Sequence, residues 1–284
     1  RVVMHYPSVG ATHHLMMTAA LIPGETVLDG AAREPEIVQV AEFLTKMGAR
    51  VDGAGTSTVT IHGQQELGDA EVRVQGDRIE AATFLIAGAM TKGDVAVTGL
   101  SNDQFDLPLS ETQNPLSECL RILKAAECDV VVDADQIRVR GPQRLKAVSF
   151  ETAPYPGLAT DIQPLLMAAM TIASGECVIT ETVFDNRYVH VPEYRRLGAD
   201  IRIDGRIAIV SGRDFLSGAP VDGSDIRAAA GLVLMALAAQ GRSEVHEIHH
   251  IDRGYELFSE KFKTLGAGLT RAPTQEQREL IVGC

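Results

Sequence analysis

A pattern of hydrophobic and polar residues occurs four times along this chain of 284 residues. Each copy has a polar start, an apolar run of helical character, a glycine, a strand, a second helix and a final hairpin. The polar starts are Ser8, Asp77, Asp161 and Asp225. Their spacings of 69, 84 and 64 residues exceed those of solenoid repeats. Each copy is therefore predicted to be a supersecondary block within a larger domain.

The apolar runs predict buried helices, because a helix that is apolar on nearly every side must be covered on every side. These runs lie at 15–20, 84–89, 165–169 and 232–237. A further helix is predicted at 116–124. The candidate strands 59–62, 137–140 and 201–204 alternate apolar and polar residues. Such alternation is typical of a sheet with one face in water, so the helices are predicted inside and the sheets outside, unlike a doubly wound fold.

Turn residues divide the copies further. Three copies have a Gly-Ala pair before a later strand, at 48–49, 198–199 and 266–267, whereas the second copy has Glu127-Cys128 there. Asp52-Gly53 and Asp204-Gly205 predict hairpins. The polar stretch 101–115 predicts a surface loop, and the hairpin exit near Gln75-Gly76 is the best candidate for a domain boundary.

Composition narrows the classes of partner. Acidic residues outnumber basic ones, 38 to 26, for a formal net charge of -12, and no Lys/Arg stripe suggests nucleic-acid binding. The longest apolar run, 228–239, is too short to span a membrane. The cysteines Cys119, Cys128, Cys177 and Cys284 form no CxxC pair and are expected to be reduced, as in a cytoplasmic protein. The chain starts with arginine in place of an initiator methionine, which suggests a piece of a longer protein.

Several stretches resemble one family, the UDP-N-acetylglucosamine 1-carboxyvinyltransferases, which are enolpyruvyl transferases. The matching stretches are 7–12, 31–37, 77–80, 152–154, 160–161, 180–184, 186–187, 225–227 and 250–256. They occur in the family's order and cover almost the whole chain. The resemblance implies an α/β (α+β) fold, an inside-out α/β barrel of repeated β-α-β-α-β-β units with buried helices and outer sheets.

Four of the family's six units are expected here. Residues 1–75 would be the last unit of a split domain, and residues 76–284 would be a domain of three units. The resemblance thus implies that an N-terminal part is missing, and we expect weak or absent catalysis by this chain alone.

The resemblance also implies a reaction. The family transfers the enolpyruvyl group of phosphoenolpyruvate to the 3′-hydroxyl of UDP-N-acetylglucosamine and releases phosphate, the first committed step of peptidoglycan synthesis. No cofactor or metal is expected, and the partners are the two substrates, without nucleic acid or membrane.

Four residues resemble the family's catalytic groups. Asp161 corresponds to the carboxylate at the sugar hydroxyl, where a base must be within hydrogen-bonding distance, but an Asp at a unit start is also a common helix N-cap. Arg253 corresponds to an arginine on phosphoenolpyruvate, with a salt bridge to Asp252 or Glu256 as the alternative. Asp225 and Arg227 correspond to a pair near the reacting centre, with a cap and a surface charge as the alternative.

Substrate-binding residues follow from the same resemblance. Tyr6, Pro7, Ser8, Val9 and Gly10 correspond to the stretch that binds the uridine nucleotide. Free N–H groups at a helix start suit that role, although the family commonly has a basic or another bulky residue in place of Tyr6. Val183 would contact the sugar through its backbone or be a strand core residue. Arg187 and Arg78 would be site cations or surface charges. Glu34 and Glu36 would be site residues or charges in a first helix turn.

The stretch His246–His250 fits the zinc motif HExxH. That chemistry requires a helix, whereas the repeat predicts a strand over 243–251, in which the two histidines would lie about 13 Å apart. A zinc hydrolase is therefore the weakest alternative. The others are an enolpyruvyl transferase acting on shikimate 3-phosphate, and a non-catalytic scaffold that binds a nucleotide sugar.

Overall fold

A computed structural model describes residues 1–100, 114–272 and 279–283. The helices are α1 (Val9–Ala20), α2 (Pro35–Lys46), α3 (Arg78–Met90), α4 (Ser117–Ala125), α5 (Gln163–Met170), α6 (Val191–Arg196), α7 (Ile226–Ala238), α8 (His249–Asp252) and α9 (Phe258–Thr264), with a 3₁₀ turn at Arg187–His190. The four apolar runs lie within α1, α3, α5 and α7, and the helix predicted at 116–124 coincides with α4, so these predictions are confirmed. The loop predicted at 101–115 falls, apart from its last two residues, outside the described residues, as does Cys284.

The strands include the three segments predicted from alternation. They are β1 (Val2–Val3), β2 (Gly24–Asp29), β3 (Arg50–Asp52), β4 (Thr58–Gly63), β5 (Asp94–Thr98), β6 (Asp129–Val132), β7 (Gln136–Arg140), β8 (Phe150–Glu151), β9 (Glu176–Thr180), β10 (Asp200–Asp204), β11 (Ile207–Ser211), β12 (Leu216–Ser217), β13 (Pro220–Asp222), β14 (Ala239–Gln240), β15 (Arg242–His246), β16 (Leu269–Ala272) and β17 (Glu279–Gly283). Both predicted hairpins form, β3 with β4 and β10 with β11.

The chain divides into two compact units. The first consists of Arg1–Gly76 with Pro154–Gly157, and the second of Asp77–Ala153 with Leu158–Cys284. The division at 76–77 is close to the hairpin exit proposed from the sequence. The grouping of the short segment Pro154–Gly157 with the first unit had no sequence signal. The assignment of these units to larger domains with three repeats each stays a prediction.

One sheet order recurs through the chain. In the first unit the order is β1-β2-β4-β3, with β1 parallel to β2 and the other pairs antiparallel. The third copy repeats it as β8-β9-β11-β10 and the fourth as β13-β15-β17-β16, while the second has β5-β7-β6 over the described residues. β12 pairs only with β14 among the described strands. The predicted β-α-β-α-β-β unit is confirmed, but the described strands form separate sheets and no closed barrel.

The core of the second unit is built from its three apolar helices. α5 is buried at all of its positions, α3 at Ile79 and from Ala81 to Met90, and α7 from Ala228 to Ala236. These helices pack against one another, and the sheets lie outside them. Burial of each large apolar side chain contributes about 1.5–3 kcal/mol, so the prediction of inner helices is confirmed for this unit. No helix in the described ranges combines the length and apolar character needed to cross a membrane.

Helix α1 has a similar composition but a different environment. Met16 and Ala20 are fully buried, whereas Met17 is 48% exposed and Leu21, just after the helix, is 55% exposed. Within the first unit, α1 packs on α2 and β4, which cover one side of it. The expectation that each first helix is buried on every side is therefore wrong for α1.

The Gly-Ala pairs mark helix ends with positive φ. Gly48, Gly198 and Gly266 follow α2, α6 and α9 with φ of 110°, 95° and 90°. Glycine enters this region without a Cβ penalty. In the second copy Glu127 has the same role after α4, with φ of 72°, so the repeat keeps its backbone geometry even where glycine is missing.

The strand predicted over 243–251 is too long. β15 ends at His246, Glu247 has a φ of 56°, and His249 begins the short helix α8. The left-handed conformation of Glu247 interrupts the extended backbone. The His249 Nδ1 atom lies 3.1 Å from a Glu247 carboxylate oxygen. Within the described part of the chain, no group of three or more His, Cys, Asp or Glu side chains is arranged to hold a metal ion.

Candidate active site

Asp161 lies between two arginines of the second unit. Its Oδ1 accepts a hydrogen bond of 2.7 Å from Arg187 Nη2, and its Oδ2 accepts one of 3.1 Å from Arg227 Nε. The Asp161 side chain is 41% exposed, whereas those of Arg187 and Arg227 are 10% and 12% exposed. One carboxylate therefore bridges two nearly buried cations and still presents a face to solvent.

The N-cap interpretation of Asp161 is wrong. Helix α5 begins at Gln163, its N-cap position is occupied by Ile162, and no side chain caps it. Pro164 stands in the first turn of α5, where proline needs no hydrogen-bond acceptor because it has no N–H. The local sequence thus leaves the Asp161 carboxylate available for the arginines.

Arg187 is held from two sides. It starts the 3₁₀ turn that follows Asn186, which has a φ of 58°. Its Nε and Nη2 atoms donate to the Thr160 carbonyl over 3.1 and 2.9 Å, and its Cζ lies 5.3 Å from the centre of the Phe184 ring. These contacts fix the guanidinium group beside Asp161.

Arg227 is positioned by the start of α7. Asp225 caps this helix, because its Oδ1 accepts from the N–H groups of Arg227 and Ala228 over 2.8 and 3.0 Å. The Arg227 Cζ lies 5.6 Å from the centre of the Tyr255 ring. Burial acts to lower the pKa of Arg227, but Tyr255 and Asp161 outweigh it and raise that pKa above its ordinary value.

Tyr255 links this cluster to helix α3. Its hydroxyl lies 2.9 Å from Thr83 Oγ1, which itself donates to the Ile79 carbonyl over 2.8 Å. Because the hydroxyl proton of Thr83 is donated to the Ile79 carbonyl, the Tyr255 hydroxyl is the donor in its bond with Thr83. Burial raises the pKa of Tyr255, although the Arg227 cation opposes this shift. The sequence stretch 250–256 contained Tyr255, but nothing in it singled out this residue.

Arg253 is exposed at the C-terminal end of α8. The salt bridges considered for it are absent, since Asp252 pairs with Arg271 at 2.6 Å and Glu256 with Lys261 at 3.7 Å. Within the described ranges Arg253 has no ion pair, and no hydrogen bond joins it to Asp161. Its guanidinium group is available to an anion, but the structure does not bring it into the Asp161 cluster.

Two further candidates of the second unit have local roles. Val183 follows β9, where its N–H donates to Glu181 Oε1 over 2.9 Å, so its interpretation as a strand core residue is wrong. Arg78 is the first residue of α3, directly after the N-cap Asp77, whose Oδ1 accepts from Ile79 N–H over 2.7 Å.

The first unit brings the predicted nucleotide-binding residues to one helix start. Ser8 caps α1 through a 3.3 Å bond from Ala11 N–H to its Oγ, and Val9 and Gly10 form the first turn. A Cβ added at Gly10 would meet no atom within 4 Å. The backbone at the start of α1 is therefore open to a ligand. Tyr6, just before it, is 47% exposed.

A cavity of about 240 Å³ lies in the same unit. Its lining residues are Pro7, Gly30, Ala31, Arg33, Glu34, Ser57, Pro154 and Tyr155. Glu34 precedes α2 and accepts a 2.9 Å hydrogen bond from the Arg33 N–H through Oε2, while Glu36 lies in the first turn of α2. Pro7 and Glu34 are thus brought together at one concave surface.

The three cysteines that the structure describes take no part in either site. Cys119, Cys128 and Cys177 are free and buried. Burial raises the pKa of each thiol to about 12. The prediction that Cys128 and Cys177 are packed thiols is confirmed, and a thiolate nucleophile is not available from these three residues at neutral pH.

These features agree with comparisons with known proteins. The family model described as EPSP synthase (3-phosphoshikimate 1-carboxyvinyltransferase) matches residues 1–262. The chain therefore belongs to the EPSP synthase family of enolpyruvyl transferases.

Relatives within this family are more specific. The chain is 46% identical over 275 residues to UDP-N-acetylglucosamine 1-carboxyvinyltransferase 1 of Caldanaerobacter subterraneus subsp. tengcongensis, covering 95% of the chain and 63% of the relative. It is 48% identical over 271 residues to the UDP-N-acetylglucosamine 1-carboxyvinyltransferase of Nocardia farcinica, covering 95% and 61%. The chain thus spans less than two thirds of the length of these relatives.

A solved structure supports the fold. The enolpyruvyl transferase NikO from Streptomyces tendae superposes with a TM-score of 0.79 at 29% sequence identity. The match covers 90% of this chain and 59% of NikO. The recurrent sheet order and inner helices described above are therefore those of an enolpyruvyl transferase.

Proposed function

We propose that this chain forms part of a UDP-N-acetylglucosamine 1-carboxyvinyltransferase. The enzyme would transfer the enolpyruvyl group of phosphoenolpyruvate to the 3′-hydroxyl of the UDP-linked sugar and release phosphate, which begins peptidoglycan synthesis. The observation that carries the proposal is the half-exposed carboxylate of Asp161 held between Arg187 and Arg227. The names of relatives at 46–48% identity support the choice of substrate.

Asp161 would be the general base. Formation of the bond from the sugar O3′ to C2 of phosphoenolpyruvate requires removal of the hydroxyl proton, and a carboxylate can take it within hydrogen-bonding distance. The two arginines fix the direction of both carboxylate oxygens. A base with a fixed orientation loses less entropy when the substrate binds.

Arginines would compensate the charges of phosphoenolpyruvate. The planar guanidinium group suits both carboxylate and phosphate. Arg253 is exposed and has no ion pair in the described part of the chain, which supports a role in binding this anion. Arg227 would act nearer the reacting centre, with Asp225 holding its backbone through the α7 cap. Arg187 and Arg78 would add positive charge.

The first unit would bind the uridine nucleotide. The start of α1 offers backbone N–H groups to an anion, and the absence of a side chain at Gly10 leaves room for a close approach. The cavity beside Pro7 and Glu34 provides a concave surface for the ligand. Tyr6, Ser8 and Val9 complete the contacts proposed for this unit. In the second unit, the backbone of Val183 is proposed to contact the sugar.

A second candidate is transfer to shikimate 3-phosphate. It is favoured by the description of the family model, which names 3-phosphoshikimate 1-carboxyvinyltransferase. Both candidates use phosphoenolpyruvate and release phosphate, so the acceptor alone distinguishes them.

The test is an assay of phosphate release from phosphoenolpyruvate with each acceptor in turn. It is run on the 284-residue chain and on the product of its complete gene, with Asp161→Asn as the control. Release that depends on UDP-N-acetylglucosamine and on Asp161 supports the proposal. Release with shikimate 3-phosphate supports the second candidate. Binding of UDP-N-acetylglucosamine without phosphate release from the complete gene product would show a non-catalytic scaffold.

A further inference from the structure

A carboxylate outside the proposed catalytic set is buried beside it. Glu181, directly after β9, is 1% exposed. Its Oε1 accepts from Thr152 Oγ1 over 2.8 Å and from the N–H groups of Val183 and Phe184 over 2.9 Å each. Its Oε2 accepts from Thr160 Oγ1 over 3.0 Å. All four donors are neutral groups.

A buried charge without a cation is costly unless its oxygen atoms are fully hydrogen-bonded. Glu181 meets this requirement, and hydrogen bonds to a charged acceptor are stronger than those between neutral groups. The four hydrogen bonds of Glu181 therefore hold its four donors in place.

The donors lie on both sides of the Asp161–Arg187 pair. Thr160 directly precedes Asp161, and its carbonyl accepts both hydrogen bonds from Arg187. The Val183 and Phe184 N–H groups form the turn that leads to Arg187, and Phe184 also lies against the Arg187 guanidinium group. Glu181 thus fixes the backbone at the two ends of one ion pair.

We infer that Glu181 is a positioning residue that sets the orientation of Asp161 through Thr160 and Arg187. The inference rests on the proposed function, in which Asp161 removes the proton from the acceptor hydroxyl. Glu181 itself is too deeply buried to contact the substrate, and it acts through its hydrogen bonds alone.

Substitutions at Thr160 separate this role from general stability. Thr160→Val removes the hydroxyl that reaches Glu181 at nearly constant volume, and Thr160→Ser keeps it. Thr171→Val is the matched control, because Thr171 is also a buried threonine, with a 2.6 Å bond to the Ala168 carbonyl, at the far end of α5. Glu181→Gln can keep the three bonds to Oε1 and present its amide N–H to Thr160 Oγ1, which can rotate to accept it.

The first readout is the hydrogen-exchange rate of the Arg187 Nε–H in the 284-residue chain, measured by ¹H–¹⁵N NMR. Loss of a hydrogen bond to a charged group is expected to accelerate exchange by roughly tenfold or more in Thr160→Val and in Glu181→Ala. Thr160→Ser, Glu181→Gln and Thr171→Val should stay close to the unsubstituted chain. Equal rates in Thr160→Val and Thr160→Ser would overturn the inference.

The second readout is steady-state kinetics of the complete gene product. Thr160→Val is expected to lower kcat by roughly tenfold with KM values changed less than about twofold, since misorientation of a base affects the chemical step. Thr160→Ser and Glu181→Gln should restore most of kcat. A loss of kcat of the same size in Thr171→Val would show a structural role only. If the unsubstituted protein releases no phosphate, the proposed function fails, while the exchange rates still decide the role of Glu181.

Discussion

The starts of α5 and α7 are equivalent in the repeat but use their aspartates differently. Asp225 caps α7 and accepts from two backbone N–H groups, as Asp77 does at α3. Asp161 lies two residues before α5, caps nothing, and binds Arg187 and Arg227. One repeated residue therefore stabilises a helix in two copies and forms the centre of a charge cluster in a third.

The difference follows from the length and first turn of the helices. α5 has 8 residues, whereas α3 and α7 have 13. Ile162 and Pro164 begin α5 without a side-chain cap, and the proline ring removes one N–H that would need an acceptor. α5 begins two residues after its aspartate, whereas α3 and α7 begin directly after theirs. This later start leaves the Asp161 side chain free of a capping role, while the order of the sheets is kept.

The largest expected effect separates the aspartates by activity. Asp161→Asn should lower phosphate release by the complete gene product by about 100- to 10,000-fold, the usual contribution of a general base. Asp77→Asn should leave the rate within about threefold, because asparagine is as good an N-cap as aspartate. A loss in Asp77→Asn as large as that in Asp161→Asn would contradict the distinction.

His190 is affected by charges from both regions, those of Asp225 and Arg187. The ring is buried, and it packs edge-on against Tyr194 with centres 4.6 Å apart. Burial lowers the pKa of His190 from 6.5 to about 4, with Asp225 opposing this shift and Arg187 adding to it. The folded state therefore binds the proton less well than the unfolded state does.

The free energy of unfolding should therefore decrease as the pH decreases. The contribution of neutral His190 is complete above pH 6.5 and is lost as the pH falls from there to about 4, up to about 3 kcal/mol. Urea unfolding between pH 7 and pH 4.5 measures this slope. His190→Gln should flatten it, and His14→Gln, at an exposed histidine, should not. An unchanged slope in His190→Gln would show that other groups carry the acid sensitivity.

A smaller effect is expected where the cluster joins α3. Tyr255→Phe removes the hydroxyl that donates to Thr83 Oγ1, while Thr83 keeps its bond to the Ile79 carbonyl. The free energy of unfolding should fall by about 1 kcal/mol. A double-mutant cycle with Thr83→Val measures the coupling, and a coupling energy near zero would show that this hydrogen bond does not stabilise the unit.

The smallest effect concerns the copy that lacks a glycine. Glu127→Gly should raise the free energy of unfolding by about 0.5 kcal/mol, because relief of the left-handed conformation exceeds the entropy that glycine adds to the unfolded chain. Thermal unfolding at fixed pH checks the sign. Destabilisation would mean that the Glu127 side chain contributes more than its backbone costs.

Local patterns predicted the repeat because hydrophobic periodicity determines which face of an element is buried. The runs in α3, α5 and α7 and the alternation in β4, β7 and β10 were sufficient to place helices inside and sheets outside. The exposure of α1 was not predictable, since it depends on which elements surround the helix. The end of β15 was missed because one residue, Glu247, takes a positive φ without being glycine.

The candidate site was only partly accessible from sequence. The resemblance named Asp161, Arg187 and Arg227 as candidates, but neither pattern nor spacing showed that they touch. Thr83 and Tyr255 are 172 positions apart in the chain and meet only through folding. Glu181 lies in a stretch that resembles the family, but nothing in that stretch singled it out, so its four hydrogen bonds required the structure.

The most direct test measures the free energy of unfolding of Asp77→Asn, Asp161→Asn and Asp225→Asn in the 284-residue chain at neutral pH. Asparagine preserves a helix cap but, at position 161, removes the negative charge that bridges Arg187 and Arg227. We expect the Asp77 and Asp225 variants to stay within about 0.5 kcal/mol of the unsubstituted chain. Asp161→Asn should lose about 2 kcal/mol, because two nearly buried cations are left without their shared anion. Three equal values would contradict the assignment of Asp161 as the charged centre of the site.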